Sequence, residues 1–432
     1  LRFLPFFLGV LIAAALVVSA FLLHSARPAG ETDQPTAALV RATGKCAQCH
    51  RRETGAIVHE FEMSVHAREG VTCLDCHQPI KNEDGEYAQE VLAHRGFEIT
   101  AEMTALNCQQ CHNDIYQQFL RSRHAAPAWA AVRGRDDFTP QQIAFGEKYH
   151  HGQVDRDPNA LAILEGEAAI AKGCAACHDI GKPNADGSIG TCTACHARHV
   201  ASIELARLPT TCGQCHMGPD HSQMEIFNES KHGVLFAAQR DQMNLSVPPA
   251  ELTTEDMPVP TCATCHMSGL NRLESTHDTT GRLSYFLYAD VSDKRDHYTQ
   301  AQVAMKQVCS QCHTAEHTDE FYAEAEDVVV SVNERMRKGK ALMAELRAEG
   351  LLTPEPFDEE IEYVYFDLWH YYGRTAKHGA FMGGADFVQW HGNYEILHHL
   401  TQLEKMAAEL RDDAAEHGGG RHATTQPAGG GY

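Results

Sequence analysis

The chain is short of positive charge. Its 36 lysines and arginines stand against 58 aspartates and glutamates in 432 residues, a formal net charge of −22. That balance excludes nucleic acid as a partner and gives a small anion no long-range attraction, so any anion-binding site must be local. Sustained strand alternation is scarce between Arg41 and Ala315, which argues against a sheet-built fold. No cysteine stands alone: all 16 belong to one repeated pattern, so none is left for a disulfide framework.

That pattern is Cys-x-x-Cys-His, and it occurs eight times. The units are Cys46, Cys49 and His50; Cys73, Cys76 and His77; Cys108, Cys111 and His112; and Cys174, Cys177 and His178. They continue with Cys192, Cys195 and His196; Cys212, Cys215 and His216; Cys262, Cys265 and His266; and Cys309, Cys312 and His313. With 28 histidines in the chain, chance puts one after a given cysteine pair with a frequency of about 0.065, and eight coincidences come to roughly 3 × 10⁻¹⁰. Zinc knuckles do not require a histidine directly after each pair. The pattern is that of c-type haem attachment, in which two thiols bond to the porphyrin edge and the histidine becomes an axial ligand of the iron. Eight covalent haems leave about 54 residues for each, so the porphyrins must supply much of the buried apolar surface. Folding is then coupled to their attachment.

One apolar run, residues 3–23, carries no charge and is long enough to span a bilayer. It reads as a membrane anchor, or as a signal peptide cleaved near Val18-Ser19-Ala20, although the run continues to Leu23, which suits an anchor better. Either reading exports the chain to the periplasm or an equivalent compartment, where c-type haem is attached. The expected organisation is an anchor or signal over 1–27, a linker over 28–40, a haem-binding domain over 41–315, a helical domain over 316–416 and a disordered tail over 417–432.

Within the haem block, EYAQEVLAHR, NDIYQQFLRSRH and ALAILEGEAAIAKG have helical spacing. Beyond residue 315, Phe321, Ala325, Val328, Val332, Met336, Met343 and Leu346 mark one face of a long helix. LLTPEPFDEE breaks it. A second helix is predicted from about Glu359 to Lys377, and a third from about Asp386 to Glu416 carrying Leu397, Leu400, Leu403, Met406 and Leu410. The expected fold is mainly α, a haem-wrapped block followed by a long helical bundle used for oligomer contacts.

An iron that only carries electrons is best held by two histidines, whereas one that does chemistry needs a free position. Candidate second ligands outside the motifs are His66, His94, His124, His199, His232 and His277. His59, His150 and His151 compete for a seventh place, which is assigned to His151. His221 differs: it follows the sixth motif closely and pairs with Asp220, as an orienting or proton-relay couple or as one more axial ligand. An open iron that does redox chemistry without proton donors would stall, which favours the relay.

GQCHMGPDHSQMEIFNESKHG, with the eight-motif layout, THD at 276–278 and QWHGNYE at 389–395, resembles the octahaem hydroxylamine oxidoreductase family over roughly residues 41–412. The resemblance implies that the fourth haem, on Cys174, Cys177 and His178, is catalytic, with Asp220 and His221 lining its open face. It also implies a homotrimer with the catalytic haem near a neighbouring subunit. Members that oxidise hydroxylamine or hydrazine carry a tyrosine bonded to the adjacent subunit's catalytic porphyrin. In GGADFVQWHGNYE the aligned position is Phe387, which has no oxygen to form that link, while Tyr371, Tyr372 and Tyr394 remain candidates. The resemblance is thus to uncrosslinked members, thought to reduce nitrite or hydroxylamine toward ammonium, fed by a quinol-oxidising or soluble cytochrome c. The alternatives are oxidation of hydroxylamine or hydrazine at the same site, or an electron conduit with every iron bis-histidine ligated. The octahaem nitrite reductases with lysine in place of a motif histidine fit less well, because all eight motifs here end in histidine.

Overall fold

The computed structural model describes residues 37–82 and 84–417. The apolar run over 3–23 and the tail after His417 lie outside the described residues. Among those described there is one two-stranded antiparallel sheet, Leu92–His94 paired with Phe97–Ile99; the rest is helix, turn and loop. The fold is mainly α, as expected. No described helix is long and apolar enough to cross a membrane.

The chain forms two compact units that divide between Asp75 and Cys76. The first unit contains helices Ala37–Glu53, Gly55–Met63 and Val65–Arg68, and carries the first haem motif. Ser64 ends one of these helices and starts the next, its hydroxyl accepting from the Ala67 amide at 3.0 Å.

In the second unit, short helices start at side-chain caps that the sequence supplies. Thr104 and Asn107 bond reciprocally at the head of Ala105–Arg121, which carries the third motif and kinks at His112. Thr139 and Gln142 do the same for Pro140–Tyr149, with proline in the first turn, where its missing N–H costs nothing. Apolar clusters between the motifs are small-chained: six of the thirteen buried members around Trp129 are alanine. Such a core buries little hydrocarbon of its own, so most of the stabilising apolar area must come from what the cysteines hold.

Helical spacing misleads at EYAQEVLAHR. Leu92–His94 is a strand, turned back by Arg95 and Gly96 at positive φ, and Gln89 Nε2 donates to Thr104 Oγ1, Asn107 Oδ1 and Asp186 Oδ2. These tertiary bonds outweigh a weak local preference. NDIYQQFLRSRH is helical as far as Arg121. ALAILEGEAAIAKG is helical but interrupted at Gly166, at φ 83°, and it widens into a π-helix over Ile170–Cys174 that delivers the fourth motif.

The C-terminal helices run Ala315–Ala348, Glu360–Met382 and Ala385–His417, the second and third each interrupted by a π-turn, Asp367–Gly373 and Gln389–Tyr394. The first break falls in LLTPEPFDEE; the second is set by Gly383 in the left-handed conformation. Their shared core includes Val332, Met336, Met343, Leu346, Ile361, Leu368, Ile396, Leu400 and Leu403. Most of the expected apolar positions face this core, and three differ by one residue. Tyr322 and Val329 are buried where Phe321 and Val328 were expected, and Ile396 is buried while Leu397 is 52% exposed.

Candidate functional site

The sixteen motif cysteines form no disulfides. Thiols of different motifs touch instead: Cys108 hydrogen-bonds Cys192, Cys177 pairs with Cys215, and Cys212 with Cys262. These contacts join the third motif to the fifth, and the fourth and seventh to the sixth, and Cys195 of the fifth lies within electrostatic reach of Cys212 of the sixth. Anything attached to these sulfurs would be packed edge to edge.

Motif histidines are oriented as metal ligands usually are, with one ring nitrogen donated to a protein acceptor. His77 Nδ1 lies 2.9 Å from the Thr100 carbonyl and His178 Nδ1 2.5 Å from that of Ala128. His216 Nδ1 lies 3.3 Å from Gln223 Oε1.

Four motif histidines face a second histidine across a short gap. Ring centroids are 6.4 Å apart for His77 and His199, 6.3 Å for His196 and His277, 5.8 Å for His216 and His124, and 6.0 Å for His313 and His232. An iron held by two imidazole nitrogens at about 2 Å each would set the centroids about 6 Å apart. Burial, with the neighbouring rings, pushes His216 down to about 3, His124 to about 4 and His277 to about 4. The rings are therefore neutral, the state in which imidazole binds a metal. The donor set and spacing fit bis-histidine haem at these four places.

Of the seven expected second ligands, His124, His199, His232 and His277 are thus set opposite motif histidines. His66 lies partly buried in the first unit, and His94 is exposed at the end of its strand. The seventh choice, His151, is exposed, and His150 beside it is buried with Nε2 3.0 Å from the Leu120 carbonyl. His59 is exposed as well.

Asp220 and His221 form a close pair, Oδ2 to Nδ1 at 2.7 Å. That contact places the proton on Nδ1 and leaves Nε2 as the working nitrogen. Burial raises the Asp220 carboxyl, but its bond to His221 and the nearby Arg374 guanidinium outweigh this and hold it at about 2. Asp220 is therefore ionised at neutral pH and orients His221 rather than delivering a proton of its own. His178 lies within the electrostatic reach of both.

Sequence reasoning missed three neighbours of this pair. The Tyr288 ring centroid lies 5.4 Å from that of His221. Arg374 donates from Nε to the Tyr288 carbonyl at 2.9 Å and from Nη1 to His370 Nε2 at 2.8 Å, with its guanidinium between the Tyr288 and Trp369 rings. Nothing around Tyr288 in the sequence marks it. His370 and Arg374 sit at the π-turn in WHYYGR, and π-turns cluster at functional sites; that turn was readable only as helix.

The family model for multihaem cytochromes with seven CxxCH repeats matches residues 69–357. The chain belongs to the multihaem cytochrome CxxCH family. Seven of the motifs fall in the matched stretch and the first lies ahead of it. The cytochrome therefore carries covalently attached c-type haem, and that chemistry implies an extracytoplasmic location. It is 26% identical over 366 residues to a probable nitrite reductase-hydroxylamine oxidoreductase fusion protein of Kuenenia stuttgartiensis, an alignment covering 76% of this chain and 40% of that protein. The cytochrome thus matches less than half the length of that relative. Among solved structures it resembles a hypothetical multiheme protein, with a TM-score of 0.73 at 20% identity over 90% of this chain and all of the other. It also resembles a reducing HAO-like protein complex of Kuenenia stuttgartiensis, with a TM-score of 0.63 at 20% identity over 87% of each chain. The likeness to hydroxylamine oxidoreductases expected from the sequence holds in both sequence and fold.

Proposed function

We propose that this cytochrome, with eight haems, reduces small nitrogen compounds (nitrite, nitric oxide or hydroxylamine) toward ammonium at the haem on Cys174, Cys177 and His178. The observation that carries this reading is the Asp220–His221 pair, fixed at 2.7 Å within reach of His178 and ringed by Tyr288, His370 and Arg374. The haem, when bound, supplies an iron that coordinates the substrate nitrogen and passes electrons.

The protein's residues then manage protons and orientation. Asp220, as a carboxylate, accepts the Nδ1–H of His221 and holds the ring with Nε2 free. Protonated at Nε2, His221 hydrogen-bonds a substrate oxygen and gives up its proton as that oxygen leaves as water. Taking nitrite to ammonium consumes six electrons and eight protons, so a site without a rechargeable donor would stall. The contacts between the fourth and sixth motifs and from the sixth onward offer the inward path for those electrons, supplied by a quinol-oxidising or soluble cytochrome c.

The reductive direction rests on Phe387. It is buried, packed against the His391 ring at a centroid distance of 5.0 Å, and has no oxygen with which to link to a porphyrin. Tyr394 is 51% exposed and is the tyrosine best able to reach a neighbouring copy in the homotrimer that the resemblance implies. Mass spectrometry of haem peptides under denaturing conditions tests the direction: a tyrosine-linked haem would reverse it. The site itself is tested by electron paramagnetic resonance of the oxidised protein. One high-spin ferric haem among low-spin ones is expected, and none at all would leave a conduit.

A further inference from the structure

A chain with a net charge of −22 repels nitrite at long range, so an anion can be drawn in only by a local cation. Asp220 makes this sharper, because an ionised carboxylate beside the site adds repulsion. Arg374 answers both. Its guanidinium is paired with no carboxylate among the described residues: Nε is spent on the Tyr288 carbonyl and Nη1 on His370 Nε2. Its position is fixed between the two aromatic rings. Asp220 senses both Arg374 and His370, which places them beside the pair rather than at a distant surface.

His370 adds a second donor. Its Nε2 accepts from Arg374, so the ring proton sits on Nδ1, and Nδ1 is buried with no hydrogen-bond partner. Phe366 stacks on the ring at a centroid distance of 4.2 Å and keeps it from turning. A buried donor left unpaired is costly unless something else accepts from it.

Building on the functional reading above, we infer that Arg374 and the Nδ1–H of His370 form an oxyanion-recognition element that selects anionic nitrogen substrates, nitrite above all, over neutral ones. Arg374 is a specificity-determining residue: it binds the negative charge, while His221 handles the proton.

The test compares an anion with a neutral ligand on the haem-loaded protein. Nitrite and hydroxylamine are titrated at pH 8, where the second is uncharged, following the high-spin ferric haem band in the parent and in Arg374→Gln. Loss of a charge-assisted contact should weaken nitrite about ten- to a hundred-fold and hydroxylamine by much less. Equal weakening of both would overturn the inference, because a purely structural role damages the site for any ligand; so would nitrite binding within twofold of the parent. Should Arg374→Gln fail to load haem, Arg374→Lys decides: it keeps the charge and should retain the preference for nitrite, and loss of that preference in a fully loaded variant overturns the inference. A parent that binds neither ligand sinks the functional reading itself, and this inference with it.

Discussion

The Nε2 atoms of His124 and His216 face each other at 3.5 Å, and both rings have committed Nδ1 elsewhere, His124 to Thr279 Oγ1 and His216 to Gln223 Oε1. With Nδ1 engaged on each ring, Nε2 is the nitrogen that each offers to a metal lying between them. Such an arrangement would suit the axial couple of a haem on Cys212 and Cys215. Replacing His124 with Ala should leave haem content unchanged, because the thioethers and His216 remain, and should convert one low-spin haem to high-spin. Resonance spectra would then show two high-spin haems where the parent shows one; an unchanged spectrum would assign His124 elsewhere.

Asp220 and His221 separate by substitution. Asp220→Asn keeps the shape but can offer an N–H to Nδ1, favouring the wrong tautomer, so turnover with nitrite should fall by about 10² to 10⁴. His221→Ala should fall at least as far. Steady-state rates per high-spin haem, with a viologen donor, measure both. Activity within a factor of two of the parent in either variant would remove the pair from the mechanism.

The sequence carried the chemistry further than the architecture. Every haem motif was legible because attachment needs fixed spacing, and His124, His199, His232 and His277 stood out from short polar contexts beside or between the motifs. What could not be read was phase and tertiary rescue. The π-turns at Asp367–Gly373 and Gln389–Tyr394 read in the sequence as plain helix, and Ile396 rather than Leu397 lies inside. Leu92–His94 is a strand because Gln89 is tied down by residues up to 97 positions away. His150 and His151 are adjacent, and only the tertiary contact to Leu120 distinguishes the buried ring from the exposed one. Arg374 came into view only once its partners did.

Stability should fall as the solution is made acidic, for reasons that sit in this same cluster. Burial, followed by the charge of Arg374, pushes His370 down to about 3, and burial beside Lys377 and Arg374 pushes His378 well below the usual histidine range. Folded, these rings stay neutral; unfolded, they take up protons below about 6.5. A depressed folded value means that stability is complete above the unfolded value and is lost as the pH falls toward the folded one. Melting temperature should therefore drop steadily from pH 6.5 downward. Asp220, held at about 2, adds a further loss only below about pH 4. In His370→Gln the slope between pH 6.5 and 4 should be shallower; an identical slope would mean that His370 does not stay neutral in the folded protein.

Lys377 is the most buried charged side chain among the described residues, with 0% of its surface exposed, and its ammonium donates to the carbonyls of Ala289 and Asp290 at 2.8 and 3.3 Å and to Ser292 Oγ at 2.7 Å. Those acceptors follow directly on Tyr288, whose own carbonyl takes Arg374, and Asn333 closes the segment with two bonds to the Ser292 backbone. The C-terminal helices thus clamp the strip that sets Tyr288 against His221. Burial has already driven the Lys377 amine down to about 7, so its hold comes from hydrogen bonds more than from charge. Lys377→Met fills the space but strands the acceptors, each at a cost of about 1 to 3 kcal/mol, and the melting temperature should fall by several degrees. Because the strip also carries Tyr288, nitrite turnover should fall in the variant at temperatures well below its melting point. A variant that melts earlier yet turns over nitrite at the parental rate would show that the clamp supports the fold alone and that Tyr288 keeps its place without it.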